Sequence, residues 1–292
     1  MRLTGREGEM NPVVGLTVAA MIAFAANSLL ARLALGAGSI DAASYTALRI
    51  VSGALFLFFF LCRQPGQVKM PAIPGNWIAA GALFAYAIAF SLAYLMLGAA
   101  TGALILFSSV QATMVGFSLI RGERMSLFEL AGFTVAFLAF VYLILPGIGT
   151  PDPLGSLLMV ISGISWGIYT LRGRGSANPL KETAGNFLRA SAFCVPLAIY
   201  ALVAGNATLR GAGLAIVSGV VASGLGYSLW YRALGGLSTF QAALVQLSVP
   251  VIAALGAILF LNEGITLRFV IASLFVLGGI AFAIVAKRKR RG

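Results

Sequence analysis

Long apolar stretches separated by short polar links make up most of the sequence. A helix needs roughly 20 mostly apolar residues to cross a hydrocarbon core about 30 Å thick. Ten stretches approach this length, and runs such as 56–61 and 104–107 are apolar on every face, whereas the strands of a barrel would alternate. The pattern therefore predicts an all-α membrane protein. The ten predicted transmembrane helices cover residues 13–35, 42–61, 77–97, 102–120, 127–145, 155–171, 183–203, 211–234, 239–261 and 267–286.

The composition indicates that a bilayer, and not water, is the solvent of this chain. Of its 292 residues, 60% are apolar and only 10% are charged, which is a balance that soluble domains do not reach. The links between the predicted helices leave no room for a soluble domain. Cys62 and Cys194 lie in or near predicted helices, so buried free thiols are expected at both positions.

The basic residues are distributed unevenly across the predicted membrane. A net charge of +12 would suggest a nucleic-acid partner in a soluble protein. Here 15 of the 20 Lys and Arg residues fall on the side shared by both termini, and only Arg32, Arg210 and Arg268 fall on the other. The positive-inside rule therefore predicts a multi-pass protein of a bacterial inner membrane with both termini in the cytoplasm. The basic tail at 287–291 is explained by anchoring at the lipid surface, and no nucleic-acid partner is expected.

The two halves of the chain resemble each other at an offset of about 140 residues. Each half holds five predicted helices, an odd number, so the second half enters the membrane from the opposite side. We therefore expect two inverted five-helix repeats, at residues 1–148 and 149–292, the second ending in a basic cytoplasmic tail. The first helix is expected to be retained and not cleaved as a signal peptide, because it is the counterpart of the sixth. The matches pair 48–49 with 188–189, 91–94 with 228–231, and 122–127 with 262–267.

Two inverted halves are an architecture typical of transporters, because the halves can exchange conformations and so open a central site to each side of the membrane in turn. Arg49 and Arg189, together with the pairs at 122–123 and 262–263, resemble motifs of the drug/metabolite transporter superfamily. The segment Ser-Trp-Gly-Ile-Tyr at 165–169 also resembles that superfamily, and the likeness covers about residues 10–286. The chain is similar to the ten-helix EamA-type branch and, within it, to YddG-type exporters of aromatic and other neutral amino acids. The resemblance implies amino-acid export by alternating access.

Polar side chains near the middle of the predicted helices should face the bundle interior or a watery cavity, because contact with lipid is costly. Neutral amides and hydroxyls can hydrogen-bond a zwitterion, while aromatic rings cover its side chain or its cation. Each of these residues could instead bond only to a neighbouring helix, and it is the group as a whole that favours a cavity. The predicted substrate-binding residues are Asn27, Tyr86, Ser109, Gln111, Trp166, Tyr169, Tyr227 and Gln246.

A second set of residues is predicted to have structural or gating roles. Arg49 and Arg189 lie inside predicted helices, where they could bond to carbonyl groups, attract a carboxylate substrate or change partners between states. Glu123 and Glu263 follow the fourth and ninth helices. Pro250 interrupts the ninth helix and should release backbone groups near it, either toward a substrate or as a simple packing kink.

The absence of certain residue types restricts the mechanism. The chain has no histidine, and all eight acidic residues lie outside the predicted helices or near their ends. The side chains that most readily relay protons are therefore missing near the membrane centre. We expect facilitated or weakly coupled transport down a substrate gradient.

Other functions fit the sequence less well. An intramembrane serine hydrolase would need a base such as histidine, so the chain is not expected to be an enzyme. No phosphate loop or dinucleotide fingerprint occurs, and no cofactor or metal is expected. Other superfamily cargoes, such as nucleotide sugars, purines or sugars, stay open, although phosphorylated cargo should demand a more basic cavity. A channel and any oligomeric state also stay open, and the expected partners are a small-molecule substrate and the lipid bilayer.

Overall fold

The structure, a computed structural model, describes residues 12–63, 74–97, 99–123, 125–145, 151–261 and 264–288. These residues form ten helical segments, numbered α1 to α10 in chain order. An isolated antiparallel bridge joins Ile40 to Ala207 between segments. The segments are α1 Pro12–Gly36, α2 Ala42–Cys62, α3 Trp77–Met96, α4 Ala99–Ile120, α5 Leu127–Ile144, α6 Pro153–Gly173, α7 Pro179–Phe193 with Val195–Val203, α8 Leu209–Leu234, α9 Thr239–Gln246 with Ser248–Leu261, and α10 Leu267–Arg288.

The predicted all-α membrane fold is confirmed. Within the described residues, nine segments are long and apolar enough to cross a membrane as single spans, and the two parts of α7 make a tenth when they are taken together. The predicted helix ends lie within four residues of the observed ones. Ten crossings bring the start of α1 and the end of α10 to the same side, which we call the terminal face.

The seventh predicted helix, at residues 183–203, is bent in the structure. The helix breaks at Cys194, and its two parts meet at an angle of 52°. Pro196 explains the break, because its ring nitrogen cannot donate to the carbonyl four residues earlier. A similar interruption at Leu247 in α9 precedes Pro250 by three residues, close to where the sequence predicts released backbone groups.

Two segments contain π-helical turns. α1 ends in one at Arg32–Gly36, and α8 contains a longer one at Ser218–Leu225. A π turn closes with hydrogen bonds between residues five apart, so it brings such residues near the same face of the helix. Ser218 and Ser223 are five residues apart in α8, and both are buried.

Local capping sets several helix starts. The sequence from Ser126 to Glu129 predicts a capping box, and the structure confirms it: the Ser126 hydroxyl accepts from the Glu129 amide, and the Glu129 carboxylate accepts from the Ser126 amide. Ser238 and Gln241 make the same arrangement at the start of α9. Asp41 caps α2 by accepting hydrogen bonds from the amide and the hydroxyl of Ser44.

The helix contacts follow a regular scheme across the bundle. In the first half of the chain, α3 and α4 both pack on α6 of the second half. In the corresponding way, α8 and α9 of the second half both pack on α1 of the first half. α2 packs on α7, and α5 packs on α10. This is the scheme that an exchange of the first five helices with the last five would preserve. The predicted repeat boundary at 148–149 lies outside the described residues, and the division into repeats stays a prediction.

Glycines allow several of these helices to approach closely. A Cβ on Gly163 in α6 would meet the carbonyl oxygen of Leu106 in α4 at 2.6 Å. In the contact between α5 and α10, a Cβ on Gly132 would meet the Gly279 carbonyl at 2.6 Å, and a Cβ on Gly279 would meet the Gly132 carbonyl at the same distance. Small residues at such crossings are typical of membrane helices, since packing there depends on close van der Waals contact.

Candidate substrate-binding site

A small recess lies near the middle of the bundle, between α1, α3, α4, α6, α8 and α9. Its volume is about 30 Å³, and a cavity needs roughly 10–15 Å³ to hold one water molecule. Five of the eight predicted substrate-binding residues line it together, although they come from five different helices. These five are Asn27, Tyr86, Trp166, Tyr227 and Gln246.

A larger cavity, the vestibule, continues from the recess and has a volume of about 390 Å³. The two cavities share lining residues, among them Phe90, Leu106 and Val249. The vestibule is lined by the ends of α1, α3, α5 and α9 and by the first turns of α4 and α6. All of these positions lie on one side of the bundle, so the vestibule leads from the recess toward the face opposite the terminal face.

A polar cluster, which we call the latch, lies at the terminal face. It consists of Glu123 after α4, Arg174 after α6 and Thr239 at the start of α9. The Glu123 carboxylate accepts from the hydroxyls of Ser118 at 2.9 Å and of Thr239 at 2.5 Å. The Arg174 guanidinium lies 3.8 Å from the same carboxylate and also donates to the Thr239 hydroxyl. The latch therefore joins α4, α6 and α9 on the side away from the vestibule.

Arg49 of α2 lies next to the recess and is only 1% exposed. Its Nε donates to the Ser223 hydroxyl at 2.9 Å, and its Nη2 donates to the hydroxyls of Tyr227 and Tyr86. Its guanidinium also lies over the Tyr86 ring, 5.3 Å from the centroid. None of these partners carries a negative charge, and Nη1 has no hydrogen-bond partner. An always-charged group is thus buried among neutral hydroxyls.

A second chain of hydrogen bonds also reaches the recess from α2 and α8. The Tyr45 hydroxyl donates to the Ser218 hydroxyl at 3.0 Å, and the Ser218 hydroxyl donates to Asn27 Oδ1 at 2.6 Å. Asn27 Nδ2 then donates to the Tyr86 hydroxyl at 3.5 Å. The chain therefore connects α2, α8, α1 and α3 through buried polar groups, and it holds the amide of Asn27 in one orientation.

Aromatic rings form the walls of the recess. The Trp166 ring lies 4.8 Å from that of Tyr227, 4.9 Å from that of Tyr86 and 5.1 Å from that of Phe24, measured between centroids. The contact with Phe24 is edge-to-face, an arrangement that aromatic quadrupoles favour. Such rings offer faces that can cover an apolar side chain or attract a cation.

The polar atoms of Trp166 and Gln246 are already used within the protein. The Trp166 indole N–H donates to Gln246 Oε1 at 2.6 Å. The Gln246 amide nitrogen donates to the Ala242 carbonyl at 2.9 Å and to the Met114 sulfur at 3.3 Å. Gln246 therefore positions the indole, and Trp166 presents its ring to the recess.

Three of the predicted substrate-binding residues do not line either cavity. Gln111 donates from its amide nitrogen to the Ala243 carbonyl at 2.9 Å, and so joins α4 to α9. Ser109 faces α6, where its Cβ would meet a Cβ on Gly163 at 2.6 Å. Tyr169 is fully buried, and its ring lies among other aromatic rings of the bundle.

The residues predicted to have structural or gating roles lie in different surroundings. Arg189 donates to the carbonyls of Gly185 at 3.0 Å and Pro74 at 3.4 Å, which ties α7 to the segment before α3. Pro250 lines the vestibule. Glu263 lies outside the described residues.

Sequence reasoning did not select Phe24, Ser218 or Ser223 as site residues. Phe24 and Asn27 are three residues apart, so they share one face of α1, and this spacing is a signal that could have found the ring. Ser218 and Ser223 would face different directions in an α-helix. The π turn that brings them together has no recognisable signature in the Gly-rich sequence of α8.

Taken together, the fold and the cavities define a multi-pass α-helical membrane protein with two connected cavities inside the bundle. Residues 153–285 match the model of the EamA-like transporter family. Just under half of the chain is therefore similar to this family. The matched residues lie within the predicted second repeat.

Several known proteins are similar to this chain. An uncharacterized protein of Pseudomonas aeruginosa is 51% identical over 279 residues, which cover 94% of this chain and 95% of that protein. Two uncharacterized transporters of Archaeoglobus fulgidus are 28% and 26% identical and cover 57% and 62% of this chain, and 60% and 65% of their own lengths. A crystal structure with 18% sequence identity matches with a TM-score of 0.73 and covers 92% of this chain and 98% of its own chain. That likeness shows the shared fold.

Proposed function

We propose that this protein is an inner-membrane exporter of aromatic and other neutral amino acids that works by alternating access. The observation that carries the proposal is the central pathway itself. A recess walled by aromatic rings and polar groups lies near the middle of the bundle, a vestibule leads from it to one face, and the latch lies at the other face. A pathway with one open and one closed side is the arrangement that alternating access requires.

The size and chemistry of the pathway suit a small, partly apolar molecule. Ligand sites are typically about 300–1,000 Å³ in volume and mainly apolar, with a few polar groups that fix orientation. The vestibule is within this range at about 390 Å³, and its lining is mostly aliphatic and aromatic. Hydroxyl and amide groups are concentrated at the recess end of the pathway. An aromatic or aliphatic amino acid has the same division into an apolar part and a polar part.

The surroundings of the pathway favour facilitated or weakly coupled transport. None of the described residues that line the recess or the vestibule is acidic, and the chain has no histidine. Protons are commonly relayed in transporters by acidic and histidine side chains. We further propose that both termini are cytoplasmic, as the distribution of basic residues predicts, so that the vestibule faces the outside of the cell.

The proposal is tested by counterflow in proteoliposomes. Labelled phenylalanine, methionine and threonine would be supplied outside vesicles that contain the unlabelled amino acid, with and without a pH gradient, beside empty liposomes and a cationic dye. Saturable, trans-stimulated uptake that does not depend on the pH gradient is expected. Transport of the dye alone, or of no amino acid, would refute the proposed substrate, and uptake without saturation or counterflow would indicate a channel.

A pair of matched variants tests whether the vestibule is the pathway. Ala103→Trp places a large ring in the vestibule, and Ala281→Trp places the same ring on an exposed position of α10. The first variant is expected to block counterflow, while the second keeps it. Equal transport by both variants would show that the cargo takes another route.

A further inference from the structure

The hydrogen bonds around Tyr86 all run in one direction. Its hydroxyl oxygen accepts from Arg49 Nη2 at 3.3 Å and from Asn27 Nδ2 at 3.5 Å, and it lies 3.4 Å from the Tyr227 hydroxyl. Arginine has no acceptor atom, so the first of these directions is fixed. The second is fixed because Asn27 Oδ1 is held by the hydroxyl of Ser218.

The hydroxyl hydrogen of Tyr86 is therefore available to bond to a ligand. A phenolic oxygen has two lone pairs and one hydrogen, and the guanidinium and the Asn27 amide occupy the lone pairs. The hydrogen has no acceptor in this network, because the Tyr227 hydroxyl also donates to Tyr86, at 3.4 Å. Tyr86 lines the recess and is only 7% exposed, so an acceptor for this hydrogen has to come from within the cavity.

The electrostatic surroundings indicate that this acceptor is an anion. Arg49 contributes a full positive charge, its described partners are neutral, and its Nη1 is buried without a hydrogen bond. A buried charge with no opposite charge nearby is costly, and an incoming anion would offset that cost. The recess, at about 30 Å³, has room for a small group, since one water molecule needs roughly 10–15 Å³.

We propose that the recess binds the carboxylate of the cargo, with the Tyr86 hydroxyl as its donor and Arg49 as the positive charge behind that hydroxyl. The remainder of the cargo lies in the vestibule. The inference rests on the proposed function for the identity of the cargo, and it adds a requirement. No acidic side chain among the described residues lines the recess, so the carboxylate contributes more to recognition than the ammonium group does. Carboxylates without an amino group bind in the same way.

The requirement is tested by competition with three ligands that share one ring system. Phenylalanine has both charged groups, 3-phenylpropanoate has only the carboxylate, and phenethylamine has only the ammonium. The first two are expected to inhibit counterflow of labelled phenylalanine at similar concentrations, and phenethylamine is expected to inhibit at concentrations at least about tenfold higher. Inhibition by phenethylamine equal to that by 3-phenylpropanoate would overturn the inference.

A variant tests the named donor. Tyr86→Phe removes only the hydroxyl, and Tyr200→Phe removes a hydroxyl from an exposed position of α7. Because hydrogen bonds to charged groups are among the stronger ones, Tyr86→Phe should raise the inhibitory concentration of 3-phenylpropanoate about tenfold, which corresponds to about 1.4 kcal/mol. Tyr200→Phe should leave it unchanged. An unchanged value for Tyr86→Phe would refute the role of this hydroxyl.

A binding measurement separates this inference from the proposed function. The purified protein in detergent would be heated with and without 3-phenylpropanoate, and its apparent Tm recorded for the wild type and for Tyr86→Phe. Stabilisation of the wild type but not of the variant, in a protein that moves no amino acid, would refute amino-acid export and support the carboxylate site. No stabilisation of the wild type by 3-phenylpropanoate would refute the carboxylate site, whatever the protein transports.

Discussion

The hydrogen bond between Trp166 and Gln246 decides whether these two residues act on the cargo directly or through each other. The bond is 2.6 Å long, and the two side chains are 6% and 0% exposed. Gln246→Leu would remove the acceptor and leave the indole N–H buried without a partner. Such an orphaned group costs about 1–3 kcal/mol in proteins generally, while hydrogen bonds between membrane helices average about 0.6 kcal/mol with a maximum near 1.7. We expect Gln246→Leu to lower the unfolding free energy by about 1–2 kcal/mol.

A double-mutant cycle isolates this bond from the packing changes. Trp166→Phe also removes the indole N–H, so when Gln246→Leu is added no further buried donor loses its acceptor. The two substitutions should therefore be less costly together than their sum, by about 1 kcal/mol, when unfolding is followed by titration with denaturing detergent. The matched control is Trp230→Phe combined with Gln246→Leu, because the Trp230 indole donates to Thr170 and not to Gln246. These two substitutions should be additive.

Two results would refute the reasoning. Additive effects of Trp166→Phe and Gln246→Leu would show that the bond contributes nothing to stability. Loss of counterflow in Gln246→Leu without any loss of stability would show that the amide contacts the cargo itself.

Three further predictions follow from the packing and the loops. Gly163→Ala should lower the unfolding free energy by about 1–3 kcal/mol, because its Cβ would overlap the Leu106 carbonyl, whereas Gly116→Ala meets nothing within 4 Å and should be neutral. Burial by itself would raise the pKa of Asp41, yet hydrogen bonds from a neighbouring serine and from backbone amides lower it below its usual value of 3.8. Its stabilising effect is therefore complete above about pH 3.8 and lost as the pH falls through the lowered pKa, so the Tm difference between wild type and Asp41→Asn should shrink in acid. Glu123→Gln should lower stability by less than about 1 kcal/mol, because the ion pair of the latch is partly exposed, and the loss should be smaller still in high salt.

The helices of this protein could be predicted from its sequence because a bilayer imposes one length on every span. Pro250 also revealed an interruption of α9, since a missing N–H has a local effect. The bend of α7 at Cys194 was missed even though Pro196 has the same property. The apolar residues on both sides of the bend continue the pattern of a single span. A hydropathy pattern carries no information about the angle between two parts of a helix.

The candidate site was only partly accessible to sequence reasoning. Position near the middle of a span brought Asn27 and Tyr86 into the predicted set, and the structure places both at the recess. The same criterion selected Gln111, whose amide joins α4 to α9 instead. Depth along a helix can be counted from the sequence, but the direction in which a side chain points depends on the rotation of the helix. That rotation is set by its neighbours.

The way in which the helices pair has a consequence for any half of this chain. The most extensive contacts of α3 and α5 are made with α6 and α10, and those of α2 are made with α7 and α8, so the first five helices have few partners among themselves. Expressed alone, either half would expose the surfaces that the other half covers. By the predicted inverted repeat, a second copy inserted in the opposite direction would cover these surfaces. We therefore expect a half-length protein of this architecture to be dual-topology, with equal numbers of its molecules facing each way.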